Sequence, residues 1–126
     1  MMNNIQLGNK GEKEAVDFLI FSGYKIIAKN WKKGKKEIDI IAKKNNTIAF
    51  IEVKTRSTDA FMDPAEAVDS KKQRNIIDAA EKYIIEKNLE EDIRFDIITL
   101  VKDSNNTRIE HYEDAFRSEP RFNHEY

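Results

Sequence analysis

Glu37-Ile38-Asp39-Ile40-Ile41, followed by Phe50-Ile51-Glu52-Val53-Lys54-Thr55, is the stretch on which the fold turns. Each segment is short and apolar, and each carries charges at alternating positions. Side chains alternate faces along a strand, so Glu37 shares a face with Asp39, and Glu52 with Lys54. The opposite faces are hydrocarbon: Ile38, Ile40 and Ala42 on the first, Ile51 and Val53 on the second. A hairpin between the segments brings Asp39, Glu52 and Lys54 together on a half-buried sheet. Two carboxylates held close repel each other and lose hydration. A divalent cation with a preference for oxygen, Mg2+ or Mn2+, offsets both costs. A lysine beside such an ion stabilises charge developing on a phosphate.

The charge around these acids has the same sense. Residues 25–56 hold ten basic side chains and only three acids, Glu37, Asp39 and Glu52, for a net +7. The rest of the chain is net −8, and the total is −1. A near-neutral protein therefore conceals one strongly basic segment. Attraction for a polyphosphate backbone around local acids is what cutting that backbone requires.

At 126 residues the chain is expected to form a single domain, residues 1–126, with 117–126 as a polar tail. It has no cysteine, hence neither disulfides nor a thiolate metal site. The N-terminus shows no apolar run with a basic lead, and no stretch is long and apolar enough to span a membrane. A cytoplasmic protein without membrane partners is the expectation.

Periodicity and breakers predict the order αβββαββ, a mixed sheet flanked by helices. The first helix covers 9–22 and stops at Gly23, with Ala15, Val16 and Leu19 as its apolar stripe. Glu12 lies in register with that stripe. It reads either as a first-turn acid complementing the helix dipole or as a third acid over the sheet. Residues 24–30 form a strand and 30–36 a basic turn with Gly34. Strands 37–43 and 47–56 are joined through Asn45-Asn46. A loop over 57–63 with Phe61 and Met62 precedes Asp63-Pro64-Ala65-Glu66, a helix-start signature, and Ser70-Lys71-Lys72-Gln73 offers a second one. The main helix is placed at about 70–88, with Ile76, Ile77, Ala80 and Ile84 on its core face. Strand 93–101 and a short strand 107–112 follow, and Ala115-Phe116 tucks onto the core.

Element order and the acid, strand, Glu-x-Lys pattern resemble the PD-(D/E)xK nuclease superfamily, with its restriction-endonuclease-like α/β core. More closely, the chain resembles the bacterial YraN family, related to archaeal Holliday junction resolvases. The resemblance runs through Gly11-Glu12, Ala15, Leu19, Gly23-Tyr24, Asn30, Glu37-Ile38-Asp39-Ile40-Ile41-Ala42, Phe50-Ile51-Glu52-Val53-Lys54-Thr55-Arg56, Pro64, Lys71, Ala80, Arg94-Phe95-Asp96 and Ala115-Phe116. By position it implies Asp39 and Glu52 as metal ligands with the Val53 carbonyl. It implies Lys54 on the attacking water or the scissile phosphate, and Glu12 as the first-helix acid of the catalytic set. The superfamily's Pro before the first Asp is Ile38 here, and a Gly often found before Glu-Ile-Asp is Lys36.

Plainer readings compete at several positions. Glu52 and Lys54 alone read as a solvated strand face with a local ion pair, worth little; Asp39, Glu37 and Glu12 converging on them favour a site. Glu37 is a spare ligand or a partner for Lys36 or Lys54. Lys32, Lys33, Lys35, Lys36 and Arg56 are candidates for nucleic-acid contact, against an ordinary solvated charge run. Trp31 is a packing residue or a stacking platform for a base. Lys71, Gln73 and Arg74 at the helix start are candidates for backbone phosphate. His111 and His124 look too isolated to form a site, and Asp96 pairs with Arg94 structurally. The leading expectation is a metal-dependent DNA endonuclease, selective for branched DNA and dimeric on a two-fold junction. A nucleic-acid-binding module without turnover and a basic accessory protein for an acidic partner are the alternatives.

Overall fold

The structure, a computed structural model, describes residues 4–57 and 68–118. Helix α1 (Asn4–Phe21) leads into strands β1 (Lys25–Lys33), β2 (Lys36–Lys44) and β3 (Thr47–Ser57). Helix α2 (Ser70–Lys87) then crosses to β4 (Asp92–Asp103) and β5 (Asn106–Phe116). The five strands form one mixed sheet in the order β1-β2-β3-β4-β5, the expected αβββαββ restriction-endonuclease-like arrangement. All neighbours are antiparallel except β3 and β4, which run parallel and so need the crossover through α2.

Local chemistry sets the boundaries. α1 ends where Gly23 takes φ +95, its N–H bonding the Ile20 carbonyl at 3.0 Å. β1 runs three residues beyond the expected strand, leaving only Gly34 and Lys35 to turn the hairpin. α2 is capped by Asp69 rather than Ser70, the Asp69 carboxylate accepting from the Lys72 N–H at 2.8 Å. β5 is also longer than expected: it takes in Ala115 and Phe116, and Phe116 stacks on Phe95 at 5.4 Å. The expected helix start at 63–66, the aromatic loop residues and the tail from 119 onward, with His124, lie outside the described residues.

Each face of the sheet carries its own core. Under α1 lie Ala15, Leu19, Ile40, Ala42, Ala49, Ile51, Ile98 and Leu100. Under α2 lie Ile38, Ile41, Ile48, Phe50, Ile76, Ala80, Tyr83 and Phe95. Phe50 is fully enclosed, against both Phe95 and Tyr83, and truncating such a residue to Ala costs ~3–5 kcal/mol. Gly11 lets α1 approach the sheet: a Cβ there would lie 2.7 Å from the Thr55 hydroxyl. Among the described residues no helix is long and apolar enough to cross a membrane.

The expected alternation of β2 fails in one place. Ile38 and Ile41, three residues apart, both belong to the α2 side, whereas Ile40 and Ala42 belong to the α1 side. Ile38, Ile40 and Ala42 therefore do not share a face. The cause lies across the ladder. The register pairs Lys29 with Ile40 and Trp31 with Ile38, which puts Asn30 opposite Asp39. Asn30 sits in the left-handed region at φ +51, a conformation that Asn tolerates better than most residues. Ala28 and Trp31, likewise three apart, both pack on the α2 side. The two strands break step together, with Asn30 and Asp39 at the break.

Candidate functional site

The break in β2 coincides with a fork in the sheet. β2 pairs with β3 from Lys44↔Thr47 only as far as Ile40↔Ile51. β3 then stays with β4 to Ser57↔Lys102 and leaves β2 behind. At the crotch of the fork the Val53 N–H donates to the Asp39 carboxylate at 2.9 Å, replacing the lost ladder bond. The N–H and C=O of one strand residue point to the same side, so the Val53 carbonyl opens onto the fork as well. One residue back, Glu52 is 4% exposed.

The electrostatics of Glu52 follow from this placement. Burial, then the neighbouring Asp39 carboxylate, push its pKa from an ordinary 4.5 up to about 8, while Lys72 and Lys54 work in the opposite direction. The two acids are close enough for a protonated Glu52 to hydrogen-bond Asp39. Among the described residues no hydrogen-bond donor reaches Glu52 Oε1, although it is buried. A carboxylate oxygen left so is costly, and native structures keep such atoms for a reason.

Glu12 arrives from above. Gly11 brings the N-terminal half of α1 down on β3, and Glu12 faces Asp39 and Glu37. Its carboxyl is raised above the ordinary value first by burial and then by Asp39, against a hydrogen bond from Asn30. Of the two readings of Glu12, the structure thus favours the acid facing the sheet. Among the described residues, however, no three His, Asp or Glu side chains converge tightly enough to hold a metal by themselves. The intimate pair is Asp39 and Glu52. The donor set is nevertheless all hard oxygen, with the open Glu52 oxygen, the Asp39 carboxylate and the Val53 carbonyl at one fork. That chemistry suits a divalent cation keeping part of its water shell.

The remaining predicted residues divide between this fork and elsewhere. Lys54, two residues along β3 from Glu52, lies close enough to Glu52 to oppose its rise. Arg56 follows on the same strand, half-buried. Glu37 meets Lys32 at 3.9 Å, not Lys36 or Lys54. Lys36 is tied to Asp78 at 2.8 Å and Lys33 to Glu86 at 3.5 Å, both on α2, while Lys35 at the hairpin turn is exposed. Trp31 packs edge-on against Tyr83 at 5.2 Å, which gives it a packing role. At the start of α2, Lys71 and Arg74 are exposed, and the Gln73 amide donates to the Val68 carbonyl at 2.8 Å. The residue of that turn that reaches the fork is Lys72, whose ammonium lies 3.8 Å from Glu52 Oε2.

Sequence reasoning missed Lys72 and the local role of Asn30. Both left a signal. Lys71 and Lys72 put positive charge in the first turn of a helix, against its dipole, and Asn30 interrupts a strand of Ile and Lys. His111 was also misread as isolated. Its ring lies 2.8 Å from Asp96, which is 0% exposed and is gripped by both arms of Arg94 at 2.9 Å and by the Asp114 N–H at 3.0 Å. Burial pushes the Asp96 carboxyl up, but His111, Arg94 and the Asp114 N–H outweigh it and hold the group below its ordinary value. Arg94 also donates to the Tyr24 hydroxyl, which donates to Glu113 at 3.1 Å. This cluster ties Tyr24, between α1 and β1, to β4 and β5 and is structural, as expected for Asp96.

Residues 11–100 match a family model described as uncharacterised protein family UPF0102. A UPF0102 protein of Christiangramia forsetii is 42% identical over 116 residues, covering 92% of this chain and 98% of its own length. One from Phocaeicola vulgatus is 44% identical over the same share of this chain and 96% of its own. One from Chloroherpeton thalassium is 40% identical over 129 aligned positions, covering 95% of this chain and 100% of its own. The matched span contains every residue at the fork, from Glu12 to Lys72, and the likeness runs nearly end to end in both partners: the chain belongs to UPF0102, the YraN family.

Proposed function

We propose that this protein is a divalent-metal-dependent DNA endonuclease acting on branched DNA. One observation carries the reading. Asp39 and Glu52 meet at a fork in the sheet, and Glu52 is buried there with an oxygen that no donor among the described residues satisfies, two residues from Lys54. A fold that only needed a stable strand would fill that position with an apolar side chain. Asp39, Glu52 and the Val53 carbonyl would hold the ion, Mg2+ or Mn2+. Bound there, the ion supplies charge neutralisation of the phosphate and an acidified water. Asp39 is oriented for this by the Val53 N–H. Lys54 sets a positive charge against the developing charge on the scissile phosphate. Glu12, already short of solvent beside Asp39, holds a proton more readily than an exposed acid and is placed to pass one to or from the reacting oxygens. The basic segment 25–56 attracts the strand. A four-way junction has two symmetric cutting positions and this domain offers one fork, so resolution needs a C2 dimer on the junction.

The test is incubation with Mg2+ or Mn2+ and linear, flapped and four-way DNA, beside Asp39→Asn. Cleavage of branched DNA by the wild type alone is the expected outcome. The Lys72–Glu52 pair favours a second reading, a nucleic-acid-binding module in which lysine replaces the metal. Tight binding to four-way DNA without cleavage in either metal would establish that reading instead.

A further inference from the structure

Lys72 stands in an unfavourable place for a cation. It lies in the first turn of α2, at the positive end of the helix dipole, with Lys71 beside it and no acid in the turn. Among the described residues it is nevertheless the only cation within ion-pair distance of a site acid at the crotch of the fork. The contact is loose. At 3.8 Å the ammonium is too far to hydrogen-bond Glu52 Oε2, and Oε1 has no donor among the described residues. The two partners also differ in freedom. The Lys72 side chain is 40% exposed and can swing into solvent, whereas the Glu52 side chain is enclosed and cannot follow it. Lys72 therefore covers a buried carboxylate from outside without filling the positions that a ligand would take.

We propose that Lys72 is an exchangeable counter-cation of the Asp39–Glu52 fork. It offsets the negative charge that the Asp39–Glu52 pair carries while no divalent ion is held, and an incoming ion displaces it to the phosphate backbone of bound nucleic acid. The proposal rests on the reading of Asp39 and Glu52 as metal ligands. Its physical basis is the exclusion of like charges. An ammonium 3.8 Å from a carboxylate oxygen is held less strongly there once a doubly charged ion binds the same group. The route open to it is outward, toward the exposed Lys71 and Arg74, where a phosphate would meet three cations at a helix N-terminus.

Calorimetric titration of Mn2+ and of Mg2+ into the DNA-free protein tests this, using wild type, Lys72→Gln, Lys72→Arg, Lys71→Gln and Glu52→Gln. Removing the competing ammonium should tighten metal binding about fivefold in Lys72→Gln, the scale of a partly exposed ion pair. Lys72→Arg should return to the wild-type affinity. Lys71→Gln, which removes the same charge from the same turn, should change it less than about twofold, and Glu52→Gln should abolish binding. Equal affinities for wild type and Lys72→Gln would overturn the exchange, as would weaker binding by Lys72→Gln. Equal tightening by Lys71→Gln would reduce the effect to bulk charge and overturn it too. A wild type that takes up neither metal removes the metal reading and the exchange together, whereas a wild type that binds and a Lys72→Gln that binds no better removes only the exchange.

Discussion

Replacing Glu52 with Gln should stabilise the metal-free protein at high pH and not at low pH. Between pH 4.5 and about 8 the Glu52 carboxyl is protonated in the folded chain and ionised in the unfolded one. Folding therefore takes up a proton across that window, and stability falls as pH rises through it. At ~1.36 kcal/mol per pH unit the full window has a ceiling of roughly 5 kcal/mol. Glu52 and Asp39 titrate as a pair, and a charged Glu52 would draw in water, so about half the ceiling, ~2–3 kcal/mol, is the expected effect. Glu12 shifts in the same direction, but it is present in both proteins and cancels in their difference. The assay is urea unfolding of wild type and Glu52→Gln in EDTA at pH 5 and pH 8.5. The stability of the variant relative to wild type should rise by ~2–3 kcal/mol from the lower pH to the higher. Mn2+ at ten times its dissociation constant should return about 1.4 kcal/mol to the wild type at pH 8.5 and nothing to the variant. Parallel pH dependences for the two proteins would show that Glu52 is solvated and that no strain is stored at the fork.

Three further outcomes follow from the same structure. Lys54→Ala should lower DNA cleavage by at least ~10²-fold while leaving DNA affinity within about twofold, read by single-turnover kinetics beside a binding titration. Asn30→Ala should lose ~1–2 kcal/mol in thermal unfolding because Ala resists the left-handed backbone, whereas Asn30→Gly should keep stability and still lose cleavage with the Glu12 hydrogen bond. Replacing Lys32, Lys33, Lys35 and Lys36 together by Ala should shallow the log–log salt dependence of duplex binding by about 0.9 for each phosphate contact removed; an unchanged slope would move the DNA surface elsewhere.

The element order was legible because the first three strands are set off by breakers, Gly23, Gly34 and Asn45-Asn46, and each helix carries its own apolar stripe. The meeting of Asp39 with Glu52 was legible for the same reason: a tight turn at Asn45-Asn46 fixes the register of β2 on β3. What could not be read depends on contacts that no local pattern encodes. The switch of face between Ile38 and Ile40 requires two strands to break step together, and the left-handed Asn30 is seen only against its opposite number. Lys72 is not singled out from the sequence because the N-cap is Asp69, not Ser70, and a shift of one residue rotates the first turn by about 100°. His111 joins Asp96 only through the β4–β5 register, which pairs Ile98 with His111.

β1 is one of the two outer strands of the sheet, with nothing paired to its far side among the described residues. A strand so placed offers a row of unpaired backbone groups to any other extended chain, including a second copy of itself. It carries Lys25, Lys29, Lys32 and Lys33, all exposed. Lysines on an outer strand are a common guard against sheet-to-sheet aggregation, since each new pairing would crowd like charges together. The lysines proposed to draw in a nucleic acid would thus also help to keep the protein dispersed at high concentration. Salt would screen both effects at once, so on the proposed reading stocks of this protein should cloud under the same ionic conditions that weaken DNA binding.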